Sequence, residues 1–245
     1  MNKMRVRAVV AYDGTDYSGF QRQANGPTVQ AALETALARV SQEAITILAA
    51  GRTDAGVHAA GQVIAFDAVW RHRLDDLHRA LNAVLPADVA VQEVEQAAPD
   101  FHPRYDAHSR RYRYTLYNAL VRWPLARRYS LHIAHPLDVA AMQQAAQSLV
   151  GEHDFAAFGQ PPQGEVTVRR VLAAEWGGEM PWLTFDIEAN AFLYHMVRSI
   201  VGSLLQVGQG RMSVEEFVAA LASCDRSRAG PTAPPHGLCL MEVRY

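Results

Sequence analysis

Lysine is almost missing from this chain. Of 23 lysines and arginines, only Lys3 is a lysine. Nearly every positive charge is therefore a planar guanidinium, suited to bidentate contact with phosphate or carboxylate. Cysteine is as scarce. Cys224 and Cys239 are too few for a disulfide framework and lack metal-ligand spacing. The histidines show no HExxH-like pattern, and no Walker or dinucleotide fingerprint occurs. No apolar run is long enough to cross a bilayer, and the apolar part of MNKMRVRAVV is too short for a secretion signal. These absences argue against a disulfide-stapled secreted domain, a membrane protein and a nucleotide-hydrolysing motor. They leave a cytoplasmic soluble protein as the expectation. A length of 245 residues with 49% hydrophobic content fits one large domain or two small ones around a real core.

A net charge of -2 argues against a uniformly basic nucleic-acid binder, but the distribution of charge matters more than its sum. Arg104, Arg110, Arg111, Arg113, Arg122, Arg127 and Arg128 fall in one stretch whose only acid is Asp106. Tyr105, Tyr112, Tyr114, Tyr117, Trp123 and Tyr129 interleave with them. Guanidinium groups that bind phosphate and rings that stack on bases suit RNA. The alternative is a solvated strand face with ordinary cross-strand aromatics.

GRTDAGVH, Gly51 to His58, is the densest cluster of chemical groups. It lies between the apolar runs Ile45–Ala50 and Gln62–Phe66 and reads as a Gly-flanked turn between strands. Gly51 and Gly56 would allow a positive φ or a close backbone approach. An Asp in such a turn usually caps its own backbone. The sharper reading makes Asp54 a carboxylate nucleophile on a rigid turn, kept ionised by a neighbouring cation such as Arg52. His58 reads as a satisfied, partly buried histidine.

Along the chain, Met4–Ala11 alternates as a strand, and a long polar loop, Asp13 to Thr28, follows. Thr28 is a plausible N-cap for a helix whose apolar stripe is Val29, Ala32, Leu33, Ala36, Leu37 and Val40. Two strands flank the Asp54 turn. A helix with Leu74, Leu77, His78, Leu81 and Leu85 stops at Pro86, and Val89–Val94 is a strand. The second half repeats the order: a strand at Arg110–Tyr117, a helix at Leu137–Val150, strands at Val168–Trp176 and Trp182–Glu188 around the 177–178 glycine pair. A long helix then carries Leu193 to Leu205, a shorter one is capped by Ser213, and Leu238–Val243 closes as a strand. The expected fold is α+β: two tandem ferredoxin-like βαββαβ units whose sheets join into one extended sheet with a cleft at the junction. The domains expected are 1–105 and 106–245. Gly159–Gly164 is a turn-rich insert with no assigned role.

GRTDAGVHA, SRRYRY, ANAFLYHMVRSIVGSLL and GLCL, in that order, closely resemble the tRNA pseudouridine synthase A family from about Arg5 onward. The resemblance implies an isomerase that converts uridine to pseudouridine at tRNA positions 38, 39 and 40, in the anticodon stem-loop, and agrees with the duplicated fold. It implies that Asp54 is the catalytic aspartate, that Tyr112 stacks on the target base and is a candidate base for the C5 proton, and that Arg198 pairs with the aspartate. Arg52 would help extrude the nucleotide, and Leu240 or Leu238 would pack under the uracil, with Leu240 preferred. No metal or other cofactor is implied. The expected partners are tRNA and a second copy of the chain, one tRNA lying across both subunits. His195, three residues before Arg198, would shape the site wall. Phe20 stands where many members have Trp, so the Asp13–Thr28 loop and its RNA contacts are a point of departure. Two other readings compete: a non-catalytic module that holds structured RNA, and a metal-dependent hydrolase built on Asp54 and nearby histidines.

Overall fold

The structure is a computed structural model that describes residues 3–161 and 164–245. Its strands are β1 (Met4–Tyr12), β2 (Leu48–Ala49), β3 (His58–Ala68), β4 (Val89–Gln96), β5 (Ser109–Asn118), β6 (Leu131–Ile133), β7 (Gly151–Asp154), β8 (Val168–Glu179), β9 (Trp182–Ala189) and β10 (Leu238–Arg244). The helices are α1 (Val29–Ser41), α2 (Leu74–Val84), α3 (Val139–Gln147), α4 (Met196–Gly208) and α5 (Val214–Ser223). Contacts divide the chain into one unit of Met1–His108 with Leu240–Tyr245, and a second of Ser109–Cys239.

In the first unit β1 lies antiparallel between β3 and β4. Its side chains alternate: Val6, Ala8, Val10 and Tyr12 are buried and the residues between them are half-buried. The core gains Leu33 and Leu37 from α1 and Leu77 and Leu81 from α2, each contributing about 1.5–3 kcal/mol when fully buried. Thr28 caps α1 by accepting a hydrogen bond from the Ala31 amide, as expected. The strand expected over Ile45–Ala50 shrinks to the two residues of β2, because Ile45 and Ile47 are buried outside any ladder. β1 occupies one edge of β3 from Ala59 to Ala68, so β2 and β10 share the other. At Gly61 a Cβ would lie 2.4 Å from the Met241 carbonyl oxygen, so only glycine lets β10 come this close. The order β4-β1-β3-β2 is that of a ferredoxin-like unit.

The second unit repeats it. β5 pairs antiparallel with β9, and β9 with β8, so β5-β9-β8 matches β1-β3-β2. Two strands were not foreseen: β7 extends the sheet beyond β8, and β6 runs parallel to β5. The helix expected to Val150 therefore ends at Gln147, and Gly151, at φ 115, starts β7. β8 runs through the glycine pair; its turn to β9 is Met180–Pro181. Ile200, Val201 and Leu204 of α4 are fully buried, and α3 and α5 pack against that helix. Ser213 caps α5 in a capping box with Glu216. The fold is α+β, with two ferredoxin-like units in one chain. The Gly159–Gly164 insert includes Pro162 and Gln163, which lie outside the described residues.

Candidate active site

Asp54 opens a four-residue turn: the Val57 amide donates to the Asp54 carbonyl at 3.1 Å. Gly56, the turn's third residue, has φ 76, where an L side chain is disfavoured. Gly51 has no such need, since a Cβ there would meet nothing within 4 Å. Asp54 is half-buried and Arg52 is exposed, so the turn offers a carboxylate beside a solvent-facing guanidinium. The turn is tied to the Asp13–Thr28 loop. The Phe20 amide donates to the Thr53 carbonyl at 3.0 Å, and the Gly56 amide to the Tyr17 carbonyl at 3.3 Å. The hydroxyls of Tyr12 and Thr53 share a buried hydrogen bond of 2.7 Å. Phe20 is buried with its ring 6.2 Å from that of Tyr12, so its difference from Trp is a matter of core packing.

His58 is the first residue of β3 and is buried. Its Nδ1 accepts from the Gly14 amide at 3.0 Å and lies 3.1 Å from Asp13 Oδ1. His58 is thus a satisfied structural histidine, as expected.

In the second unit Tyr112 is half-buried on β5, with Phe192 edge-on to its ring at 5.1 Å and 85°. Arg198 sits in the first turn of α4. Its Nε donates to the Ala233 carbonyl at 2.8 Å, and the Ala233 amide donates to the Arg198 carbonyl at 3.0 Å. The side chain is therefore aimed by backbone, rather than loose on a surface. Its charge is felt by Tyr114: burial pushes that phenol well above its ordinary range, and Arg198 offsets part of the rise. His195 precedes α4 in the left-handed region, φ 63, with the Tyr194 ring at 3.8 Å. Such a conformation costs a non-glycine residue about 1–3 kcal/mol, and here it turns the chain into the helix. Leu238 and Leu240 are both buried, at 5% and 1% exposure, so burial does not choose between them. Arg52, Asp54 and Leu240 belong to the first unit, and Tyr112, Arg198 and Leu238 to the second.

Part of the Arg/Tyr stretch is structural. Arg110 is buried and donates to the Asn190 carbonyl at 2.7 Å. Arg113 forms a two-pronged pair with Asp186, its cross-strand neighbour. Tyr114 is fully buried and donates to the Pro234 carbonyl. Tyr105, Trp123 and Tyr129 remain exposed, as do Arg122, Arg127 and Arg128. Phe192 and Ala233 were missed. Phe192 sat in plain view in ANAFLYH, but Ala233 acts through its backbone, which no side-chain pattern reports. Among the described residues no group of three or more His, Cys, Asp or Glu side chains is placed to hold a metal.

A family model described as tRNA pseudouridine synthase matches residues 8–106 and 145–245. The chain belongs to that family. Among its relatives, the tRNA pseudouridine synthase A of Chloroflexus aurantiacus is 49% identical, over 98% of this chain and 88% of that protein. The tRNA pseudouridine synthase A of Moorella thermoacetica is also 49% identical, over 98% of this chain and 99% of that protein. The Geotalea uraniireducens protein of the same name is 44% identical, over 98% and 99%.

Proposed function

We propose that this protein isomerises uridine to pseudouridine at positions 38, 39 and 40 of the tRNA anticodon stem-loop. The observation that carries this is a half-buried Asp54 on a glycine-dependent turn, in a chain of the tRNA pseudouridine synthase family. The N1–C1′ bond breaks, the uracil turns, and C5 bonds to C1′. C5 loses a proton and N1 gains one, so the change is redox-neutral and needs no cofactor. The target nucleotide leaves the helix stack at a cost of a few kcal/mol. Exposed Arg52 fills the space or holds phosphate, and Tyr112 stacks on the flipped base. Asp54 attacks C1′, adds to C6 of the uracil, or stabilises a glycal formed by loss of the 2′ proton. The family resemblance assigns Arg198 as the cation for the aspartate and Leu240 as the apolar residue for the uracil, and the Tyr112 phenol is a candidate acceptor of the C5 proton.

The protein acts in the cytoplasm as a homodimer holding one tRNA across both subunits. No helix of the described residues is long and apolar enough to cross a membrane. Leu120, Val121 and Leu125 are 84%, 72% and 81% exposed in one short segment, apolar area of the kind a second copy covers. Sedimentation of the purified protein checks the dimer.

The activity is tested with transcribed tRNA carrying [5-³H]uridine, because C5 gives up its proton only if it becomes the glycosidic carbon. Release by the parent and none by Asp54→Ala is the expected result. Tight tRNA binding with no release by either would favour a non-catalytic RNA-binding module. Release by both would remove Asp54 from the chemistry, and loss of release in EDTA would point to a metal-dependent reaction.

A further inference from the structure

The long loop before α1 has no role in the reaction described above, yet it is tied to the rest of the first unit at several points. The Asp13 amide donates to the Asp88 carbonyl at 2.9 Å, and the Tyr17 hydroxyl donates to the Asp88 carboxylate at 2.7 Å. The Ser18 amide donates to the Pro27 carbonyl at 2.8 Å, which closes the loop on itself. Arg22 pairs at 3.0 Å with Glu34, a buried acid that also accepts from the Ile47 amide. Tyr17 and Phe20 are buried.

Residues 14–20 of that loop meet the Asp54 turn. A Cβ at Gly14 would lie 2.0 Å from the Val57 carbonyl oxygen. One at Gly19, where φ is 99, would lie 3.0 Å from the Thr53 oxygen and 3.4 Å from the Asp54 carbonyl carbon. Backbone therefore packs directly on backbone, with no side chain between. Thr53 is held twice, its carbonyl by the Phe20 amide and its hydroxyl by Tyr12. The Thr53 carbonyl and the Asp54 amide share one rigid peptide plane. Fixing that plane fixes the N–Cα bond of Asp54, and the Val57 amide holds the Asp54 carbonyl on the other side, so the side chain projects from a backbone held at both ends.

We infer that Tyr12 and Thr53, braced by the Asp13–Thr28 loop, are positioning residues that aim the Asp54 carboxylate. The inference rests on Asp54 being the catalytic group. It assigns the loop to catalysis through the aspartate rather than to RNA contact. A displacement near 1 Å at a reacting group costs up to about a hundredfold in rate, and a hydroxyl pair buried against a four-residue turn controls displacements of that size.

The test compares Thr53→Val, Tyr12→Phe, the double variant and Thr53→Ser, with the parent and Asp54→Ala alongside. Steady-state tritium release gives kcat and KM for tRNA, and a thermal melt confirms that each protein is folded at the assay temperature. Each single loss of hydroxyl is expected to lower kcat about ten- to a hundredfold with KM unchanged. The double variant should be no slower than the worse single, since both remove the same bond. Thr53→Ser should recover most of the rate. Parental kcat in folded Thr53→Val, or in Tyr12→Phe if the valine variant does not fold, overturns the inference. So do additive losses, or a change confined to KM. Activity in Asp54→Ala, or none in the parent, sinks the catalytic reading itself, and the inference with it. A dead Asp54→Ala beside a fast Thr53→Val sinks the inference alone.

Discussion

Arg198 and Ala233 bind each other in both directions: the guanidinium Nε donates to the Ala233 carbonyl, and the Ala233 amide donates to the Arg198 carbonyl. A short irregular segment thus fixes both the backbone and the side chain of the first-turn arginine of α4. Lysine keeps the charge but not the planar fork. Arg198→Lys is expected to bind tRNA normally and to lose about tenfold or more in kcat, the size of a charge-assisted hydrogen bond. Single-turnover tritium release checks it. A normal rate would show that charge alone suffices.

Gly202 makes that arrangement possible. A Cβ on it would stand 1.7 Å from the Pro231 carbonyl oxygen, so the Pro231–Ala233 segment lies directly on the helix backbone. Gly202→Ala is expected to destabilise the protein by about 1–3 kcal/mol, as overpacking does, and to slow catalysis below the melting temperature by lifting Ala233 away from Arg198. Denaturant midpoints and kcat on the same preparation separate the two effects.

Tyr114 gives a pH dependence with a definite sign. Its folded pKa is raised above the ordinary value of about 10 by burial. Above pH 10 the unfolded chain releases a proton that the folded chain retains. The contribution is therefore complete below about pH 10 and is lost progressively as pH rises from there. Tyr114→Phe should cost about 1 kcal/mol at neutral pH, through the lost bond to Pro234, and should flatten the alkaline fall in stability. Urea midpoints near pH 7 and near pH 11 test this. An unchanged alkaline slope would contradict it.

Phe192 meets the Tyr112 ring edge-on. Aromatic pairs of this kind contribute about 0.5–1.5 kcal/mol beyond area burial. Phe192→Ala should therefore lower kcat/KM up to about tenfold, by loosening the ring proposed as the platform for the base. Full activity would mean that Tyr112 is oriented by its strand alone.

The amphipathic helices were legible because an apolar face repeats with the helical period, and the caps at Thr28 and Ser213 because short side-chain oxygens suit no other place so well. β7 was not legible: GEHD has no apolar alternation, and it is a strand only because β8 offers it an edge. The Arg/Tyr stretch misled for a related reason. Composition treats Arg110, Arg113 and Tyr114 like their neighbours, whereas the register sets Arg113 opposite Asp186 and burial claims the other two. Asp54 stood out because its turn concentrates charge and glycine in a few residues. Tyr12 did not: it falls just past the alternating run Met4–Ala11, and its partner Thr53 is 41 residues further along the chain.

The two-residue length of β2 bears on the order of events during synthesis. Most of one edge of β3 is left for β10, whose residues from Leu240 on are made only after the entire second unit. An emerging chain can therefore fold the second unit while the sheet carrying the Asp54 turn still has an open edge. Chains ending before Leu240 should expose that edge to proteolysis and leave the Asp54 turn less protected than in the full chain.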